Sequence, residues 1–176
     1  VYMFFHQMSF YYLREEMGLA LNDILERVCP NNIENLKNDI AITWINYKSE
    51  SNHVNKGCGF GINNRKLIYP ASIVKLIYGL AAYSWIDTKK ILLTQEISDA
   101  VNKMLFYSSN DATSFLIDII TGTTSGPCIE GDFWENWKYQ RSIINDWLKE
   151  LNWNEINEIN CGKKTWDEGP FGPEKE

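Results

Sequence analysis

The chain has 176 residues, 44% of them hydrophobic and 14% aromatic, and a formal net charge of −6. This is enough apolar mass for one domain with a sizeable core, and it excludes wholesale disorder. The acidic balance, without a long basic run, excludes nucleic-acid binding through phosphate neutralisation, and no segment reaches the roughly 18 apolar residues of a membrane span.

The elements follow in chain order. Phe10 to Val28 reads as a helix, with Leu13, Met17, Leu21 and Leu25 in one apolar stripe, and Pro30 and Asn31 stop it. Asp39 to Tyr47 alternates Ile40, Ile42 and Trp44 against Ala41 and Thr43, the pattern of a strand. Lys48 to Lys56 is turn-like. Gly57 to Ile68 is read as a second strand pairing back as a hairpin, with Gly57, Gly59 and Gly61 weakening it or marking bulges. Pro70 opens a helix over Ser72 to Trp85, and a link through Asp87 to Leu93 follows. Thr94 caps the next helix, ending at Tyr107. Ser108 to Asp111 is a polar break, and the apolar helix Thr113 to Ile120 closes at Gly122. Thr123 to Gly131 is a loop, Phe133 to Leu151 a further helix, and the chain is loop-like from Trp153 onward. The expected class is α+β and mostly helical, with an N-terminal β-hairpin.

Four cysteines, Cys29, Cys58, Cys128 and Cys161, form no Cys-x-x-Cys pair, and His6 and His53 are the only histidines. Neither a zinc-ligand pattern nor a Ser-His-Asp set is legible, so no cofactor or metal is expected. The cysteines are read as free or buried thiols.

Two short segments carry chemistry. Ser72-Ile73-Val74-Lys75 sets a serine and a lysine one helical turn apart, on one side of the helix. A desolvated lysine there gives up its proton more readily and can accept the serine's. A serine in the first turn also sits at the positive end of the helix dipole. Ser108-Ser109-Asn110 places a hydroxyl and an amide two residues apart, pointing the same way if the break is extended. Such a pair can bond both a lysine and a substrate amide, and the hydroxyl can hand a proton to a leaving nitrogen.

Taken with their flanks, these segments resemble a known family. Tyr69-Pro-Ala-Ser-Ile-Val-Lys-Leu76 is similar to the nucleophile segment of class A β-lactamases and their penicillin-binding relatives. Met104-Leu-Phe-Tyr-Ser-Ser-Asn-Asp-Ala-Thr-Ser-Phe-Leu-Ile117 is similar to the Ser-x-Asn segment and the helix after it. The resemblance covers roughly residues 10 to 122. It implies a β-lactamase/transpeptidase-like fold and a serine hydrolase in which Ser72 is acylated and Lys75 activates it. Ser108 then relays the proton, and Asn110 binds Lys75 and the substrate amide. The implied partner is a small-molecule β-lactam or a peptidoglycan-like peptide, in an exported or periplasmic setting.

Three departures qualify it. Ser109 stands where class A enzymes carry Asp, which leaves a D-alanyl-D-alanine peptidase open beside a lactamase. Ser108 follows Ser72 after only 36 positions, so the cleft rim should be open. No Lys-Thr-Gly is present, and Lys164-Thr165-Trp166 is rejected because Trp cannot replace a Gly lying against substrate. Residues 1–176 are therefore expected to be a single partial domain, cut before the remaining strands of the sheet. The chain is then either inactive or a non-catalytic binding relative. Glu168, in Trp166-Asp167-Glu168, is the candidate deacylating carboxylate. The unpaired edge of the hairpin makes self-association an expectation.

Overall fold

The computed structural model describes residues 11–47, 57–153, 156, 158–165 and 172–175. His6, His53 and Glu168 lie outside the described residues. The chain divides into two compact units, residues 1–66 and 67–176, and the class is α+β and mostly helical.

In the first unit, three strands form a mixed sheet in the order β1-β3-β2. The expected hairpin is present. β2 (Ile42–Asn46) runs antiparallel to β3 (Gly57–Ile62), with Trp44 opposite Phe60. Both strands are shorter than the apolar runs that announced them. β1 (Tyr11–Leu13) was expected to be the start of the first helix. It pairs parallel with the other edge of β3, Tyr11 opposite Gly57. Arg14 remains extended, and its N–H extends the ladder to the Gly59 carbonyl at 2.9 Å. The helix α1 (Glu15–Val28) begins only there, with Glu15 and Glu16 in its first turn, where carboxylates suit the dipole. A three-residue strand is too short for alternation to separate it from a helical stripe. α2 (Ile33–Asp39) has two apolar residues in seven and buries none, so no periodicity reveals it.

The glycines of β3 mark close approach. A side chain at Gly59 would meet the Trp44 carbonyl at 2.6 Å and the Tyr11 ring at 2.8 Å. On α1, Gly18, Leu21 and Leu25 are buried, and Gly18 leaves room for the Phe60 ring.

The second unit is helical. It comprises α3 (Val74–Asp87), α4 (Gln95–Tyr107), α5 (Asn110–Thr121) and α6 (Gly131–Glu150). Thr94 caps α4 by accepting from the Ile97 N–H at 3.2 Å. Gly122 ends α5 in the left-handed conformation, φ +65°. The core joins Tyr78, Ala82 and Trp85 of α3 to Val101 and Met104 of α4, Leu116 and Ile117 of α5, and Ile144 and Leu148 of α6. Trp85 meets Trp147 edge to face, with centroids 5.6 Å apart. α3 is apolar nearly all round, and Leu76, Leu80 and Tyr83 stay exposed on its outer side. Among the described residues no helix is long and apolar enough to cross a membrane.

Leu116 is fully buried between the helices. Leu116→Ala should cost about 2–5 kcal/mol through lost burial and the cavity left behind, read as a lowered urea midpoint with an unchanged slope.

Candidate functional site

Ser72 lies in a 3-10 turn, Ala71–Ile73, that runs directly into α3. The chain enters through Ala71 in the left-handed region, φ +46°. A non-glycine residue held there costs about 1–3 kcal/mol, a kind of strain that clusters at functional sites. Ser72 is exposed while Lys75 is only 3% exposed, so a hydroxyl open to ligand sits over a buried amine.

α4 ends and α5 begins across the Ser108–Asn110 break. Ser108 is left-handed, φ +54° and ψ +32°, and Ser109 is extended, φ −60° and ψ +125°. The side chains of Ser108 and Asn110, on either side of the extended Ser109, both converge on Lys75. Ser109 serves the backbone instead. Its hydroxyl accepts from the Ala112 N–H at 3.2 Å, and its carbonyl accepts from the Thr113 hydroxyl at 2.6 Å. Capping thus falls to the middle residue and leaves its neighbours for the site.

The Lys75 Nζ lies 2.8 Å from the Asn110 Oδ1, 3.0 Å from the Ser108 Oγ and 3.3 Å from the Ser72 Oγ. The Ser108 main-chain carbonyl, at 2.5 Å, is a fourth acceptor that no side-chain pattern discloses. The Lys75 amine donates toward all four oxygens, which gather around its Nζ from the turn before α3, the end of α4 and the start of α5. Each of the four residues named in the two motifs thus has a place in one cluster.

A second polar cluster was not legible in the sequence. Lys164 donates to Asp118 at 2.6 Å and to Ser125 at 2.7 Å. Arg141 pairs with Glu174 and lies 3.5 Å from Asp118. Burial pushes the Glu174 carboxyl above its ordinary range, opposed by Arg141 and Lys164, and burial lowers Arg141. Lys164, the lysine of the rejected Lys-Thr-Trp run, belongs to this cluster. The hydroxyl of Tyr78 donates to the Lys163 carbonyl at 2.8 Å and accepts from the Gly162 N–H at 3.2 Å. Burial pushes that hydroxyl up to about 12 and the Cys161 thiol up to about 11, which keeps Cys161 unreactive. All four cysteines are unpaired. Among the described residues, no group of three or more His, Cys, Asp or Glu could hold a metal ion.

Two measurements follow from these roles. Ser109→Ala should lower stability by about 1 kcal/mol through the lost cap while leaving the Lys75 cluster intact in a crystal structure. Because the Tyr78 pKa is raised on folding, its stabilisation is complete below pH 10 and is lost as pH climbs through about 12. The loss should amount to about 3 kcal/mol and be absent from Tyr78→Phe in alkaline denaturation followed by circular dichroism.

No protein-family model, no curated protein and no solved structure matches this chain.

Proposed function

We propose that this chain carries the nucleophile half of a serine acyl-enzyme hydrolase of the β-lactamase and penicillin-binding kind, acting on a β-lactam or a related amide. The observation that carries this reading is the buried Lys75 amine, held by Ser108 and Asn110 within 3.3 Å of the exposed Ser72 hydroxyl.

The chemistry balances on these residues. The Ser72 Oγ attacks the amide carbon while its proton passes to the lone pair of Lys75, so an O–C bond forms as the carbonyl oxygen gains negative charge. Collapse of the tetrahedral centre breaks the C–N bond. The proton held by Lys75 moves through the Ser108 hydroxyl to the departing nitrogen. Ser72, at the foot of α3, has the helix dipole to favour the developing oxyanion, and its own backbone N–H is one candidate oxyanion donor. In this reading Asn110 bonds the substrate amide as well as Lys75, which its side-chain oxygen holds. Water then releases the acyl group, the step for which Glu168 is the candidate base.

The place of Lys164 favours a second reading. It is bound to Asp118 and Ser125, which leaves it unable to serve as the strand lysine that holds a substrate carboxylate in the family. A chain that binds peptidoglycan-like ligands without turnover, or with a D-alanyl-D-alanine peptidase's slow release, fits that placement.

Incubation with a fluorescent penicillin, followed by peptide mass mapping, should place an adduct on Ser72. Ser72→Ala should abolish it, and Lys75→Ala should slow it at least about 100-fold. Rapid release of hydrolysed drug assigns a lactamase and a persistent adduct a peptidase. No adduct on the wild-type chain overturns the enzyme reading in favour of binding alone.

A further inference from the structure

The residues of the site continue into two rows of polar side chains. On α3 and the turn before it, Ser72, Lys75 and Tyr78 follow at three-residue spacing, on one side of the helix. On α5, Asn110, Ser114 and Asp118 follow at four-residue spacing, again on one side. The two rows meet each other through Lys75, second in its row, and Asn110, first in its own, at 2.8 Å. The later positions meet a single segment without regular secondary structure, residues 160–165.

That segment is tied at every step. The Cys161 N–H donates to the Asn145 Oδ1 of α6 at 2.6 Å. The Gly162 N–H and the Lys163 carbonyl are both bonded to the Tyr78 hydroxyl of α3. Lys164 donates to Asp118, and the Ser114 hydroxyl donates to the Thr165 carbonyl at 3.3 Å, both on α5. Gly162, at φ +137°, has no room for a side chain, because a Cβ would stand 2.9 Å from the Arg141 carbonyl. The segment is therefore a cross-tie from α6 over α3 to α5. It runs one helical turn, about 5 Å, below the tie that Lys75 makes to Asn110.

We propose that Tyr78 and Ser114 are positioning residues, which through residues 162–165 fix the spacing of α3 and α5 and so hold the Lys75 amine against Ser108 and Asn110. The inference rests on the acyl-enzyme reading for its consequence in rate, but its structural content stands apart from it. Apolar packing of Leu116 and Ile117 against α3 sets the helix spacing coarsely. Polar contacts in the 2.5–3.3 Å range at Lys75 are set more finely, and a misplacement of about 1 Å at a reacting group costs about 100-fold in rate. A tie one turn away, made by a hydroxyl that keeps its proton to about pH 12, supplies that finer constraint.

The test uses the 176-residue chain with 13C-labelled lysine, wild type and the variants Tyr78→Phe and Ser114→Ala. Neither residue touches the Lys75 amine, and Tyr78→Phe preserves the packed ring. The expected result is a changed 13Cε resonance of Lys75 in both variants, with a melting temperature within a few degrees of wild type for Ser114→Ala. Ser142→Ala, which removes the contacts of that hydroxyl to the Tyr139 carbonyl and the Asp146 carboxylate within α6, serves as control and should leave that resonance unmoved. Penicillin labelling of Ser72 should slow about tenfold in each of the two variants. A Lys75 resonance unchanged in Ser114→Ala and in folded Tyr78→Phe overturns the inference, whatever the labelling shows. If wild type is not labelled at Ser72, the acyl-enzyme reading fails, and the resonance alone still decides the positioning role. Should Tyr78→Phe fail to fold, the Lys75 resonance of Ser114→Ala decides alone, changed in support of the positioning role or unchanged against it.

Discussion

Taking the amino group of Lys75 out of water is costly unless its N–H groups find acceptors. Four acceptor atoms answer that demand, and they come from three places in the chain: the turn before α3, the end of α4 and the start of α5. The left-handed Ser108, the strained Ala71 and the cap at Ser109 all serve this requirement. Ser108 turns the chain so that its carbonyl and hydroxyl reach the same nitrogen. Ser109 satisfies the first turn of α5, so that neither Ser108 nor Asn110 is drawn off to cap it. Removing any of these partners leaves a buried polar group exposed to its desolvation penalty.

Reactivity and burial are divided between the two residues of the pair. Ser72 stays open, and Lys75 does not. On the proposed acyl-enzyme reading, this division suits a serine that must meet its ligand and a lysine shielded from competing water. A helix start gives both at three-residue spacing, because the 3-10 turn that carries Ser72 is exposed while Lys75, in the first turn of α3, is already buried. The second polar cluster, around Asp118, applies the same economy at larger scale. Two buried cations, Arg141 and Lys164, meet the buried Glu174 and the half-buried Asp118, so that each charge is compensated where an isolated one would not be tolerated.

Much of the fold was legible because it rests on local patterns. Thr94, Gly122 and the alternation around Trp44 act over a few residues, and each element they announce is present. Tyr11–Leu13 was not legible, since its pairing partner, Gly57–Gly59, lies more than forty residues away and decides strand over helix. α2 escaped notice because it buries nothing. The glycines of β3 gave an ambiguous signal. Gly59 is small because Tyr11 and Trp44 crowd it, a fact that belongs to the packed sheet.

By itself the sequence determined the residue types and spacings of the site. Ser72 and Lys75 must lie one turn apart on any helix that contains them, and Ser108 and Asn110 must flank a helix junction. Only the tertiary structure decided that the two segments meet, because a 33-residue separation says nothing about distance until α3, α4 and α5 pack on Leu116 and Ile117. It also decided that the Ser108 carbonyl joins the cluster, since backbone groups carry no residue signature. The tie of residues 160–165 to Tyr78, Ser114 and Asp118 is of the same kind. Long-range hydrogen bonds depend on where a finished core leaves room, and no spacing in the chain encodes that.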